Sequence, residues 1–151
     1  MATHARPSSV APPLGAAVTA GILGGILIDA FLALMMHTSP IGIWQFVAST
    51  IVGKVAFTAP AYAVLGVAVH LVVSILWALV YAYAATALGA LKQWLLGAIV
   101  LGVVVDAAME LLLQVKIGQP FAPAFEQGLL AHVVFYALPV AWYLARSARR
   151  V

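Results

Sequence analysis

Four side chains of this 151-residue sequence have the types and spacing to do chemistry together: Asp29, His70, Asp106 and His132. Each follows a glycine by four positions, as Gly25-Ile-Leu-Ile-Asp29, Gly66-Val-Ala-Val-His70, Gly102-Val-Val-Val-Asp106 and Gly128-Leu-Leu-Ala-His132. Two carboxyl groups and two imidazoles can hydrogen-bond to each other and fix the packing of helices, which is the first reading. The alternatives are functional. Asp29, His70, Asp106 and His132 could ligate Zn²⁺, Fe²⁺ or Mn²⁺, or His70 and His132 alone could hold a b-type haem. Gly66 and Gly128 would make room for a macrocycle, whereas Asp29 and Asp106 would crowd it. The same layer, with Glu110 one turn beyond Asp106, could also pass protons or ions. The sequence has no Glu-x-x-His pair of the di-iron carboxylate kind.

The elements that would position these groups are helices in a membrane. The composition is 66% hydrophobic and 7% charged, against about 25% charged in a soluble domain, so too few charges exist to cover a water-facing surface. A crossing helix needs roughly 20 mostly apolar residues, and four segments qualify, at about 16–36, 61–88, 94–115 and 124–145. The expected fold is all-α: a membrane-embedded four-helix bundle formed by a single domain, 14–151, after a flexible tail, 1–13. Pro139 lies inside the last segment and predicts a kink. The stretch 41–57 is apolar but carries Gln45, Ser49, Thr50 and Lys54 towards one side. It is read as an amphipathic helix in the interface or a re-entrant piece, with a fifth crossing as the alternative.

Charge sets the orientation. With four crossings, Arg6, Lys92, Arg146, Arg149 and Arg150 share one side and Lys54 and Lys116 the other, which makes the first side, with both termini, cytoplasmic. Tyr81, Tyr83, Trp94, Trp142 and Tyr143 then fall near that interface and Trp44 and Tyr62 near the opposite one. The net charge of +3 reflects this terminal arginine cluster, an orientation signal or a contact for anionic lipid rather than a nucleic-acid surface. The absence of cysteine excludes disulfides, thiolate metal sites and iron–sulfur clusters. No phosphate loop, nucleophile triad or nucleotide fingerprint is present, so the reading leans away from an enzyme.

The alternation Gly-xxx-Asp, Gly-xxx-His, Gly-xxx-Asp, Gly-xxx-His predicts a duplicated two-helix unit, each copy followed by a tyrosine eleven residues after its histidine, Tyr81 and Tyr143. Copies that each cross twice share an orientation and are related by a pseudo-two-fold axis along the membrane normal. Spacing by four puts Gly21, Gly25, Asp29, Ala33 and His37 on one helical line, and Ala98, Gly102, Asp106, Glu110 and Gln114 on another. Gly66, His70, Ser74 and Ala78 form a third, and Gly128, His132 and Tyr136 a fourth. These lines carry nearly every polar group at membrane depth, so they are expected to face inward, with both acids and both imidazoles roughly 12–15 Å below the outer interface. His37 reads as a solvated helix cap, Glu126 as a first-turn acid, and Gly21-xxx-Gly25 either as a helix–helix contact or, with Gly24 beside it, as part of a merely glycine-rich helix.

The run from Ser39-Pro40-Ile41 through Lys54, the Leu65-Gly66-xxx-His70 helix with Trp77 and Tyr81, and Gly128-xxx-His132 with Leu138-Pro139 resemble small uncharacterised bacterial four-helix inner-membrane proteins over roughly residues 18–145. The resemblance implies a multi-pass protein of the bacterial inner membrane and no particular activity. Its expected partners are the lipid bilayer and either a further copy or a larger membrane complex.

Overall fold

The computed structural model describes residues 14–118 and 125–149; the expectation of a flexible tail at 1–13 lies outside the described residues. Helix α1 spans Leu14–Met35, α2 Pro40–Val52, α3 Tyr62–Ala87, α4 Trp94–Ile117, α5 Phe125–Leu130 and α6 Leu138–Ala148. A 3₁₀ turn, Gly53–Thr58, continues α2, another, Ala90–Gln93, precedes α4, and a π turn, Ala131–Ala137, joins α5 to α6. Among the described residues there is no strand. The long helices begin and end within about three residues of the positions expected from the apolar runs.

Local chemistry sets several of these limits. Ser39 caps α2 by accepting the Gly42 amide at 3.3 Å, and Pro40 occupies its first turn, where a missing N–H costs nothing. Gly89, at φ 63°, ends α3 in the left-handed region that a β-carbon disfavours. Pro139 acts less simply than a kink. Its ring removes the amide that would bond the Phe135 carbonyl, and the helix ahead of it widens into the π turn, in which the Leu138 amide reaches Val133.

The helices are antiparallel neighbours in an order that the contacts define. Gly21 lies against Ser74 and Ile75, Gly25 against Ser74 and His70, and Asp29 beside His70, so α1 and α3 run in opposite directions. Likewise Gly102 packs on Val133 while Asp106 meets His132, which makes α4 antiparallel to the π turn and α6. Helix α1 also packs along the π turn and α6, with Phe31 stacked on Phe135 of the turn at a centroid distance of 4.0 Å. The glycines matter because a Cβ on Gly21 would sit 2.7 Å from the Ile75 Cα, and one on Gly102 2.6 Å from the Val133 Cα, approaches that only a hydrogen permits.

Because α1 and α3 are antiparallel, residues 36–61 start and finish at the same end of the bundle. Helix α2 lies across that end: Gly66 of α3 packs on the Trp44 backbone, and Gly53 faces the Lys116 carbonyl at the end of α4. Its polar side corrects the amphipathic expectation. Ser49 and Thr50 are buried, bonding the Phe46 and Val47 carbonyls, and the Gln45 amide donates to the carbonyls of Ala56 and Ala59. Only Lys54 remains outside, beside the exposed apolar Ile51, Val55 and Phe57. The hydroxyls find backbone partners in their own helix, so they tolerate the interior and leave the apolar face outward.

Five helical segments are long and apolar enough to cross a membrane, at Leu14–Met35, Pro40–Thr58, Tyr62–Ala87, Ala90–Ile117 and Glu126–Ala148. The outer surface fits lipid. Val64 is 76% and Val115 72% exposed, and such side chains form broad apolar bands that water would not tolerate on a soluble monomer. The interior is built from small residues and a few larger anchors, Leu113, Val140 and Leu144.

Candidate functional site

The α1–α3 pair is the more open of two. His70 Nε2 lies 3.0 Å from the Gly25 carbonyl oxygen and 3.3 Å from Asp29 Oδ1. A carbonyl only accepts, so this nitrogen carries the proton and directs it at Gly25; the Asp29 contact is a close electrostatic one without hydrogen-bond geometry. Ser74 Oγ is 3.5 Å from the same nitrogen. The Trp44 indole N–H donates to Asp29 Oδ2 at 3.1 Å, which ties α2 to the acid. The side chains of His70 and Asp29 retain 15% and 19% of their exposure.

The α4–π-turn pair is tighter. His132 Nδ1 lies 2.9 Å from Asp106 Oδ1 and 2.9 Å from the Gly128 carbonyl, so Nδ1 carries the proton here and shares it between the two oxygens. Both residues are buried, Asp106 at 1% and His132 at 5% exposure. His132 and Tyr136 are both buried within the π turn. The Tyr136 hydroxyl donates to the Ser74 carbonyl, linking the second pair of helices to the first.

Between the two imidazoles lies a cavity of about 40 Å³ lined by His70, Ser74, His132 and Tyr136 together with Trp77 and Met109. That volume suffices for water, which needs roughly 10–15 Å³ of accessible volume and two or more polar partners. It is far below the roughly 300 Å³ and upward of an ordinary small-molecule site, so the histidines do not frame a haem pocket. Nor do the four residues converge as ligands: among the described residues no three His, Asp or Glu side chains stand close enough together to hold a metal ion. Each acid turns to the histidine of its own antiparallel neighbour, which leaves two pairs rather than one tetrad.

All four expected residues therefore lie in the interior and are joined two by two, while Glu110 is half-buried one turn along α4. His37 is exposed at the end of α1 with φ 47°, in keeping with a cap. Three participants were not singled out from the sequence. Ser74 and Tyr136 stood on the inward lines, and their position four residues beyond each histidine was the available signal. Trp44 was read as an interfacial ring, and nothing in its local sequence points to Asp29. No protein family, curated protein or solved structure matches this chain.

Proposed function

We propose that this chain is a non-enzymatic multi-pass protein of the bacterial inner membrane, a stand-alone bundle or an accessory subunit of a larger complex, whose two Asp–His pairs lock its helices together. It crosses four times, through α1, α3, α4 and the α5–α6 segment, with both termini cytoplasmic. The antiparallel register of α1 and α3 supports this count, since it leaves α2 at the end where it began. The orientation rests on the excess of Lys and Arg at the opposite end, where Arg146 also stacks over Trp142 at 5.5 Å.

The single observation behind the locking role is that each acid bonds or faces the histidine of its own hairpin, Asp29 with His70 and Asp106 with His132. The same pattern supports a parallel duplication. Corresponding residues meet at the centre, His70 opposite His132 across the cavity and Ser74 beneath Tyr136, as a pseudo-two-fold axis between the copies requires. Intramembrane carboxyl groups cost at least about 2.5–3.5 kcal/mol on insertion scales, and pairing offsets that cost.

The test replaces His70 and His132 by alanine, singly and together, and follows detergent-resistant folding, metal content and the visible spectrum. The locking role predicts weakened folding of a colourless, metal-free protein. Retained stability with loss of a stoichiometric metal or chromophore would overturn it. A second reading, proton transfer between the imidazoles, is favoured by the water-sized cavity that both histidines line; it predicts a proton flux in proteoliposomes that His132→Ala abolishes.

A further inference from the structure

The carboxyl side chains of the sequence are Asp29, Asp106, Glu110 and Glu126, and all of them lie away from the end at which α6 finishes. Asp29 and Asp106 face histidines inside the bundle. Glu110 stands about 24 Å along α4 from Trp94 at 1.5 Å per residue, and Glu126 opens α5 at the far end of the last segment. Arg146 in the last turn of α6 and Arg149 at its C-cap are both exposed. Among the described residues neither guanidinium forms an ion pair or a hydrogen bond; Arg146 instead lies over the Trp142 ring. Their two charges outweigh the half charge of the α6 C-terminus, so this corner keeps an excess of more than one positive charge.

The corner is also shaped. Trp142, Ala145, Arg146 and Arg149 follow one another at helical spacing on one stripe of α6. With Trp94 at the start of α4 they line a surface cavity of about 140 Å³. Helix α6 packs on α4 and on the turn ahead of it, so the cavity is built by two elements rather than by a tail. A guanidinium held over an aromatic ring still presents its fork of N–H groups to oxygen acceptors. Each arginine has five such donors. Helix α4 begins at this cavity without a side-chain cap, and its positive end adds to the attraction for an anion.

Depth identifies the anion. The segments Ala90–Ile117 and Glu126–Ala148 have 28 and 23 residues, about 42 and 34 Å. Centred on a hydrocarbon core about 30 Å thick, they leave it near Trp94 and near Arg146. The cavity between them therefore opens into the headgroup layer, where phospholipid phosphate is the concentrated anion. A zwitterionic lipid would bring an ammonium group that the arginines repel; an anionic one would not. We propose that Arg146 and Arg149 hold the phosphate of one anionic phospholipid at this end of the bundle, between the rings of Trp94 and Trp142. The inference rests on the membrane-spanning reading above.

Native mass spectrometry of the full chain in detergent, titrated with palmitoyl-oleoyl phosphatidylglycerol, tests it. One such lipid should bind per chain, about tenfold more tightly than palmitoyl-oleoyl phosphatidylcholine. Arg146→Gln and Arg149→Gln should each weaken binding about tenfold, the worth of one hydrogen bond to a charged group. Lys92→Gln, which removes an exposed cation outside the cavity, should change it less than about twofold. All three side chains are exposed, so thermal unfolding serves as the control and should match wild type. Wild-type protein that binds no phosphatidylglycerol, or binds both lipids equally, would overturn the proposal. Arginine variants that bind as wild type does, or lose no more than Lys92→Gln, would do the same. So would displacement of the lipid by millimolar inorganic phosphate, which assigns the site to the free anion. A chain that does not fractionate with membranes would instead refute the reading on which the inference rests.

Discussion

Consider the replacement of His132 by alanine. Asp106 is 1% exposed, and the imidazole that leaves had bonded its Oδ1 at 2.9 Å. Breaking one side of so buried a pair costs about 3–5 kcal/mol. The matching change, His70→Ala, is milder, because Asp29 keeps the Trp44 indole bond and a fifth of its exposure; losing a contact of that kind costs about 1–2 kcal/mol. Reversible unfolding titrations in mixed micelles, monitored by far-ultraviolet circular dichroism, measure both. A double-mutant cycle over Asp106→Ala and His132→Ala should return a coupling near 1.5 kcal/mol, towards the upper end for polar pairs in membranes. The reasoning is refuted if His70→Ala proves the more damaging change or if the Asp106–His132 coupling is close to zero.

Other substitutions probe different contacts. Gly102→Leu should destabilise the bundle by about 1–3 kcal/mol or prevent its folding, since even a Cβ there would press on the Val133 backbone; the same titration reads it. Tyr136→Phe removes the bond to the Ser74 carbonyl and should cost about 1 kcal/mol, with the two hairpins retained in a proteolysis assay. Because the chain has no cysteine, single thiols report topology directly. With four crossings, His37→Cys and Thr58→Cys react with an impermeant maleimide from one side of the membrane, and Lys92→Cys and Arg149→Cys from the other. Labelling of His37→Cys and Thr58→Cys from opposite sides would give residues 36–61 a crossing of their own.

Helix positions were legible in the sequence because apolar length alone fixes them in a membrane, and the inward lines were legible because small and polar residues recur every fourth position. Gly25, Gly102 and Gly128 are all buried as those lines require. That each acid meets a histidine was legible from the residue types, but which histidine it meets was not. Four groups at one depth are compatible with one tetrad or two pairs, and the choice depends on which helices are neighbours, which helical period does not encode. The face of α2 was misread for another reason. Ser49 and Thr50 look like surface residues, yet a hydroxyl that bonds its own helix backbone is at ease inside. The effect of Pro139 was anticipated in place but not in form, because a lost hydrogen bond can be met by bending or by widening the helix.

Nitrogen-15 spectra of the histidine rings in lipid nanodiscs test the account at its centre. Two ring protons, on His70 Nε2 and His132 Nδ1, should exchange slowly with water and mark opposite tautomers, and the His132 signal should shift when Asp106 is changed to asparagine. Rapid exchange at both rings, or a His132 spectrum indifferent to Asp106, would mean that no such pairs hold the bundle.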